Sequence, residues 1–279
     1  MKLRDNFVIL AIGALAVIGS APLASAATFT MPVGGWIVHN GTSTVTAPLT
    51  DSPTFTAGDN ITAMGAFPEI ELLDDGDYLT FTTTLTMANR SGNVTNNFLN
   101  TQLRVGLFNG PDGAIVASDA PNVGFIIEYT NLAAGGLIRA QTSLVQANPF
   151  VSPTNIGNGS SDSDSIAGAN PPPVDLVLTL TRNGGALDLT GQISGGSHLA
   201  NYSVLGYSSA TFPLNGTFSF NRVGLFLGDN VNAETASLVD ATITTNVPEP
   251  NTCILMAIMA FGVVFAARRA SNGHSPARQ

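Results

Sequence analysis

With 279 residues, only 10% of them charged, the chain is long enough for one large hydrophobic core or two small ones. Residues 27–247 carry five arginines, no lysine and seventeen acids, a net charge of −12. That balance excludes nucleic-acid binding, because phosphate recognition needs clustered Lys or Arg.

Residues 1–26 have the three parts of a secretory signal. Lys2 and Arg4 form a positive start, Phe7–Gly19 is a short apolar run, and Ala24 and Ala26 supply the small residues of an A-x-A cleavage site. Signal peptidase is expected to cut after Ala26. The signal helix would then leave a body of residues 27–246. Polar uncharged residues dominate this body, and the chain carries 29 glycines, a texture that suits strands better than exposed helices.

Short alternating runs follow one another through the body, separated by Gly, Asn, Asp and Pro. In Tyr78–Met87, Leu79, Phe81, Thr83, Leu85 and Met87 fall on one face and Thr80, Thr82, Thr84 and Thr86 on the other. Further strands are expected at 103–109, 123–130, 136–145, 175–182, 186–193, 216–227 and 236–244. Asn183-Gly184-Gly185 reads as a tight hairpin between two of them. Residues 155–173, rich in Gly, Asn and Ser, read as a low-complexity loop inside one domain. The segments 103–113 and 221–230 share R-V-G-L-F followed by a Gly/Asp turn. Either a duplication or two similar strands at equivalent core positions would produce that echo. Eight or more strands without a disulfide imply an all-β, antiparallel two-sheet sandwich.

After the body, Val247-Pro248-Glu249-Pro250 precedes an uncharged stretch, Thr252–Ala267, and then Arg268-Arg269. Sixteen residues of helix extend about 24 Å, short for a hydrocarbon core of about 30 Å. The segment is therefore a marginal transmembrane helix, with the arginine pair on the cytoplasmic side. It contains the chain's one cysteine, Cys253, so the body has no thiol chemistry. Tripeptide, short apolar helix and basic cluster in this order resemble the PEP-CTERM sorting signal of Gram-negative bacteria. The resemblance implies recognition of Pro248, Glu249 and Pro250 by an exosortase, with Arg268 and Arg269 as the basic stop. It also implies transient residence in the inner membrane, then delivery to the cell surface or extracellular matrix. Residues 247–270 would form the signal and 271–279 a cytoplasmic tail. Asn251, where a small hydroxyl residue is usual, and the ten residues after the arginines depart from the pattern.

The run L-T-L-T-R-N-G-G-A-L-D-L-T-G-Q-I, with the strands around 216–227 and 236–244, resembles concanavalin/laminin-G-type jelly rolls. This resemblance implies a jelly-roll body and leaves its activity open.

Candidate chemistry is sparse. Asp74, Asp75 and Asp77 around Gly76 offer hard oxygen ligands for Ca²⁺, although they match no EF-hand loop and Asp-Gly turns before strands are common. Glu69 and Glu71 would share one strand face, and with Glu128 they are the candidates for a carbohydrate-active hydrolase or lyase. The E-x-D-x-x-E motif of laminarinase-type jelly rolls is absent. Neither His39 nor His198 sits in a zinc-binding frame, and no G-x-S-x-G elbow occurs. Trp36, Tyr129, Tyr202 and Tyr207 are candidate sugar platforms. The sequence supports a non-enzymatic surface or matrix protein with exopolysaccharide as candidate partner. A hydrolase or lyase and a ligand-free structural coat are the alternatives.

Overall fold

Where β-branched and apolar residues alternate, the chain forms strands, and the alternation decides which side chains meet the core. The computed structural model describes residues 28–39, 44–46, 54–56, 61–88, 103–110, 122–129, 137–140, 150, 154–161, 170–195, 198–208, 218–228 and 235–247. Ala24, Ala26, Pro248, Glu249, Pro250, Arg268 and Arg269 lie outside the described residues, as do both terminal helices expected from the sequence.

Fifteen strands are described, and no helix occurs among the described residues. They are β1 (Phe29–Pro32), β2 (Gly34–His39), β3 (Thr44–Thr46), β4 (Thr54–Thr56), β5 (Ile61–Glu71), β6 (Tyr78–Ala88), β7 (Leu103–Asn109) and β8 (Val123–Tyr129). The chain continues through β9 (Leu137–Ala140), β10 (Thr154–Ser161), β11 (Val174–Asn183), β12 (Ala186–Gly195), β13 (His198–Ser208), β14 (Ser219–Leu227) and β15 (Thr235–Thr245). All pair antiparallel in the order β1-β15-β6-β11-β12-β13-β10-β9-β8-β7-β14-β5-β2-β3, with β4 also on β15.

The path folds into two sheets. Sheet A runs from β1 to β13, sheet B from β9 to β3, and β10 joins them by pairing with β13 on one side and β9 on the other. Successive strands cross between the sheets. β5 and β14 pair in sheet B while their chain neighbours β6 and β15 pair in sheet A, which is the wrapping of a jelly roll. Between the sheets lies one core, with Leu79, Phe81, Leu85, Leu176, Leu178 and Ile243 from sheet A against Val105, Leu107, Phe125, Val223 and Leu225 from sheet B.

In β6 the expected alternation holds residue by residue, Leu79, Phe81, Thr83, Leu85 and Met87 being buried. β11 and β12 behave alike and meet at a two-residue turn, Gly184-Gly185, with Asn183 paired to Ala186. Gly184 has φ of +60°, as the first central position of a type II′ turn requires.

One expectation fails. The segment 155–173 begins as a strand: β10 covers Thr154–Ser161. Its Gly, Asn and Ser residues show no apolar alternation, because this strand is held by backbone ladders to β9 and β13 at the seam between the sheets. The strand expected at 136–145 is described only over Leu137–Ala140. Five strands before β6 and also β13 were not foreseen.

Candidate functional site

The two sheets turn different outer faces away from the shared core, and the acidic turn forms a third candidate.

The outer face of sheet A is built from rows of hydroxyls. Cross-strand register aligns Thr30, Thr244, Thr80, Thr179, Thr190 and Ser203 on β1, β15, β6, β11, β12 and β13. Each is exposed or partly exposed while its chain neighbours in β6, β11 and β15 point inward. Neighbouring hydroxyls bond across the strands: Thr30 Oγ1 to Thr244 Oγ1 at 3.2 Å, and Thr80 Oγ1 to Thr179 Oγ1 at 3.0 Å. A second row runs Thr242, Thr82, Val177, Gln192, Asn201, where Gln192 Nε2 donates to Asn201 Oδ1 at 3.1 Å. A third runs Val239, Thr84, Asp175, Ser194, and Thr84 Oγ1 donates to the Asp175 carboxylate at 2.7 Å. These three rows hold no cation and one acid. The register depends on a bulge in β15 between Val239 and Thr242, where Asp240 takes a positive φ of 53°. Leu238 and Ala241 both stay buried across that bulge, so Thr242 and Thr244 return to the outer face.

The outer face of sheet B is covered. Met64, Phe108, Ile126 and Phe150 form a second apolar cluster there, with Ile37 and Phe226 at its edge. The shared R-V-G-L-F segments turn out to be partners. Arg104–Phe108 pairs antiparallel with Arg222–Phe226, centred on Gly106 opposite Gly224, so each arginine faces the other segment's phenylalanine. The two segments thus take equivalent positions on adjacent strands. Gly224 leaves room for the aromatic layer: a Cβ there would sit 2.7 Å from both Met64 Sδ and the Phe150 ring. Phe150 stacks on Phe226 at 5.8 Å and meets Phe108 edge-on at 5.7 Å.

Under this layer Glu128 is 1% exposed and pairs with Arg104, Nε to Oε2 at 2.6 Å. The two are directly opposed on β8 and β7. Arg104 also donates to the Phe150 carbonyl and lies 5.3 Å from the Phe226 ring centroid. Arg222, on the neighbouring strand, is buried too, and desolvation lowers its pKa.

This arrangement separates the candidate glutamates. Glu69 and Glu71 are exposed on either side of buried Ile70 at the end of β5, with Glu69 accepting a hydrogen bond from Ser219 Oγ. Glu128 is three strands away and level with Thr62, seven residues from Glu69. Strand geometry puts that separation at roughly 20 Å or more, beyond the ~5–10 Å of a glycosidase carboxylate pair. Glu128 therefore cannot serve with either of the others.

Asp74, Asp75 and Asp77 form a turn in which the Asp75 and Asp77 carboxylates accept backbone N–H groups. The Asp77 carboxylate accepts the N–H groups of Leu73 and Asp74, both at 2.8 Å, and Asp75 accepts that of Gly184. Arg182 exchanges backbone bonds with Gly76 and Asp77, and Asn246 bonds both Tyr78 N and Gly76 O. The turn thus fastens the β11–β12 hairpin to the point where the chain leaves β15. Among the described residues no three His, Cys, Asp or Glu side chains converge as a metal site would require.

Of the aromatic candidates, Trp36 is fully buried and donates Nε1–H to the Val33 carbonyl at 3.3 Å, which makes it a core residue. Tyr207 is half-buried and packs edge-on against Phe125 at 5.7 Å. The side chains of Tyr129, Tyr202, His39 and His198 lie outside the description, but β2 carries His39 in sheet B and β13 carries His198 in sheet A. Single-sequence reading missed the alignment of hydroxyls across six strands. Its visible trace was the T-x-T spacing in β6, β11 and β15.

No protein-family model and no curated protein matches the sequence. Among solved structures the chain is similar to lectin I-B4 from Griffonia simplicifolia, with 13% identity, 78% of this chain and 98% of that one covered, and a TM-score of 0.44. It is similar also to the basic winged bean lectin, solved with Tn-antigen, at 9% identity, 80% and 99% coverage and a TM-score of 0.47. The carbohydrate recognition domain of Emp47p aligns at 13% identity, 79% and 96% coverage and a TM-score of 0.41. The two-sheet architecture stands on this chain's own strand pairing, and nothing about ligand or activity passes from these proteins to it.

Proposed function

We propose that this is an exported, non-enzymatic surface protein that binds neutral polysaccharide. The observation that carries the binding part is the outer face of sheet A, a broad array of hydroxyls and amides whose three rows hold no cation and a single acid. Sugar hydroxyls both donate and accept, and threonine and serine hydroxyls do the same, so the face suits a neutral glycan. An acidic polymer would meet a body of like charge with no arginine in the three rows to offset the repulsion.

Export and sorting rest on the signal residues Ala24 and Ala26, the Pro248-Glu249-Pro250 tripeptide and the arginine pair, Arg268 and Arg269. Val247, the residue before the tripeptide, donates its N–H to Thr245 Oγ1 at 3.1 Å. In this reading signal peptidase and an exosortase are processing partners, and the inner membrane is a transient anchor before the cell surface. Calcium at the acidic turn has no further support from the geometry.

Two measurements test the proposal. Intact mass of the protein from its native host should lack residues 1–26 and the tail beyond about Pro250, and an exosortase deletion should restore the tail. Retention of the tail with the exosortase present rejects the sorting route. Affinity electrophoresis in gels containing the host's own exopolysaccharide should retard the protein. Unretarded migration there and in a panel of other neutral glycans rejects the binding part.

A further inference from the structure

We propose that the row Thr30–Thr244–Thr80–Thr179–Thr190–Ser203 is the binding site for an extended, equatorially linked neutral glycan lying across the strands. This rests on the polysaccharide-binding reading above and adds to it a place and a ligand geometry.

High β-propensity alone puts threonine on the wet face of a strand. It does not line up one hydroxyl per strand across six strands drawn from the first, middle and last parts of the chain. Adjacent strands are about 4.8 Å apart, so the row offers hydroxyls at that interval over roughly 24 Å. The interval is close to the advance per sugar in an extended, equatorially linked chain. Each strand can therefore meet one sugar of a polymer about six residues long.

The side chains are already held. β-Branched threonine has few rotamers, and Thr30–Thr244 and Thr80–Thr179 are bonded pairwise. Little side-chain freedom is lost when a ligand arrives. Charge selects among ligands: Asp188 is two residues along β12 from Thr190, Asp175 is four along β11 from Thr179 and accepts from Thr84, and no cation stands in the three rows. Because each hydroxyl is wet before binding, any one contact contributes little, and affinity has to come from several contacts at once. Dependence on ligand length is therefore the signature of this site.

The test uses the full chain in detergent micelles. Isothermal titration with cello- and manno-oligosaccharides of two to six residues is paired with affinity electrophoresis in hydroxyethyl cellulose, galactomannan and alginate. Affinity should rise at least tenfold from disaccharide to hexasaccharide. The triple variant Thr80→Val, Thr179→Val, Thr190→Val should lose tenfold or more in affinity for the polymer that binds, whereas Thr86→Val, off the row, should bind as the parent does. Should the triple variant fail to fold, Thr190→Lys on its exposed site gives the same readout. Polymer binding by the parent that survives the row variants leaves the polysaccharide reading standing and removes this site. Equal affinity for disaccharide and hexasaccharide removes it as well, and alginate binding at equal strength removes the neutral ligand. A parent protein that binds none of these polymers and not the host's exopolysaccharide overturns the underlying reading together with the site.

Discussion

The outer faces of the two sheets share a core yet follow opposite rules. On sheet A every second residue is wet, and the strands carry threonine, serine, asparagine and glutamine there. On sheet B the centre is covered on both sides, and β7 is buried from Leu103 through Phe108, Arg104 included. The wet face carries pairs of neutral hydroxyls. The covered face has brought two arginines and a glutamate out of water, and it is ordered by aromatic packing and an ion pair. A single polar group thus has different leverage on the two faces. Removing one on sheet A exposes nothing, and removing one on sheet B strands a charge.

The largest expected effect follows from that asymmetry. Glu128→Ala leaves the Arg104 guanidinium buried without its carboxylate, and stability should fall by about 3–5 kcal/mol in urea unfolding. The double change Arg104→Met, Glu128→Leu should recover most of that loss. If Glu128→Ala costs no more than a surface substitution, the covered face is not as dry as its burial indicates. Trp36, the one tryptophan and fully buried, supplies the fluorescence signal for these transitions.

Smaller effects sharpen the same contrast. Gly224→Ala inserts a methyl against Met64 and Phe150 and should cost about 1–3 kcal/mol, a direct measure of packing in the aromatic layer. At the acidic turn, Asp77→Ala deprives two backbone N–H groups of their acceptor. The turn is exposed and water replaces part of the loss, so about 1 kcal/mol is expected. EDTA should leave the melting temperature unchanged; a fall on chelation would restore a cation to Asp74, Asp75 and Asp77, since a ligand of the native state raises its stability. On sheet A, Thr82→Val should change stability by no more than about 0.5 kcal/mol, and a larger loss would mean the hydroxyl rows hold the fold.

How much was legible follows the same division. β6, β11, β12 and β15 were readable because one face of each is wet, so their residues alternate with a period of two. The early strands were harder. β5 is apolar or small through most of its length and buried on both faces, so it lacks the alternation that marks a strand. β10 has no apolar pattern because its place is held by backbone pairing on both edges. Among the candidate sites, a shared strand face for Glu69 and Glu71 was legible from their spacing, but the burial of Glu128 against Arg104 was not, since the pair is 24 positions apart in sequence and adjacent only through strand register.

By itself the sequence determined the class of the fold, the hairpin at Gly184-Gly185 and the core face of its clearest strands, because period-two alternation and turn residues act over a few positions. The proposed signal and sorting tail likewise rest on sequence, as short linear patterns. Tertiary structure alone decided that the R-V-G-L-F segments pair with each other, that Glu128 is buried against Arg104 and apart from Glu69 and Glu71, and that threonines from six strands fall into one line. Those outcomes depend on register between strands distant in the chain, and register is set by how the two sheets close on their common core.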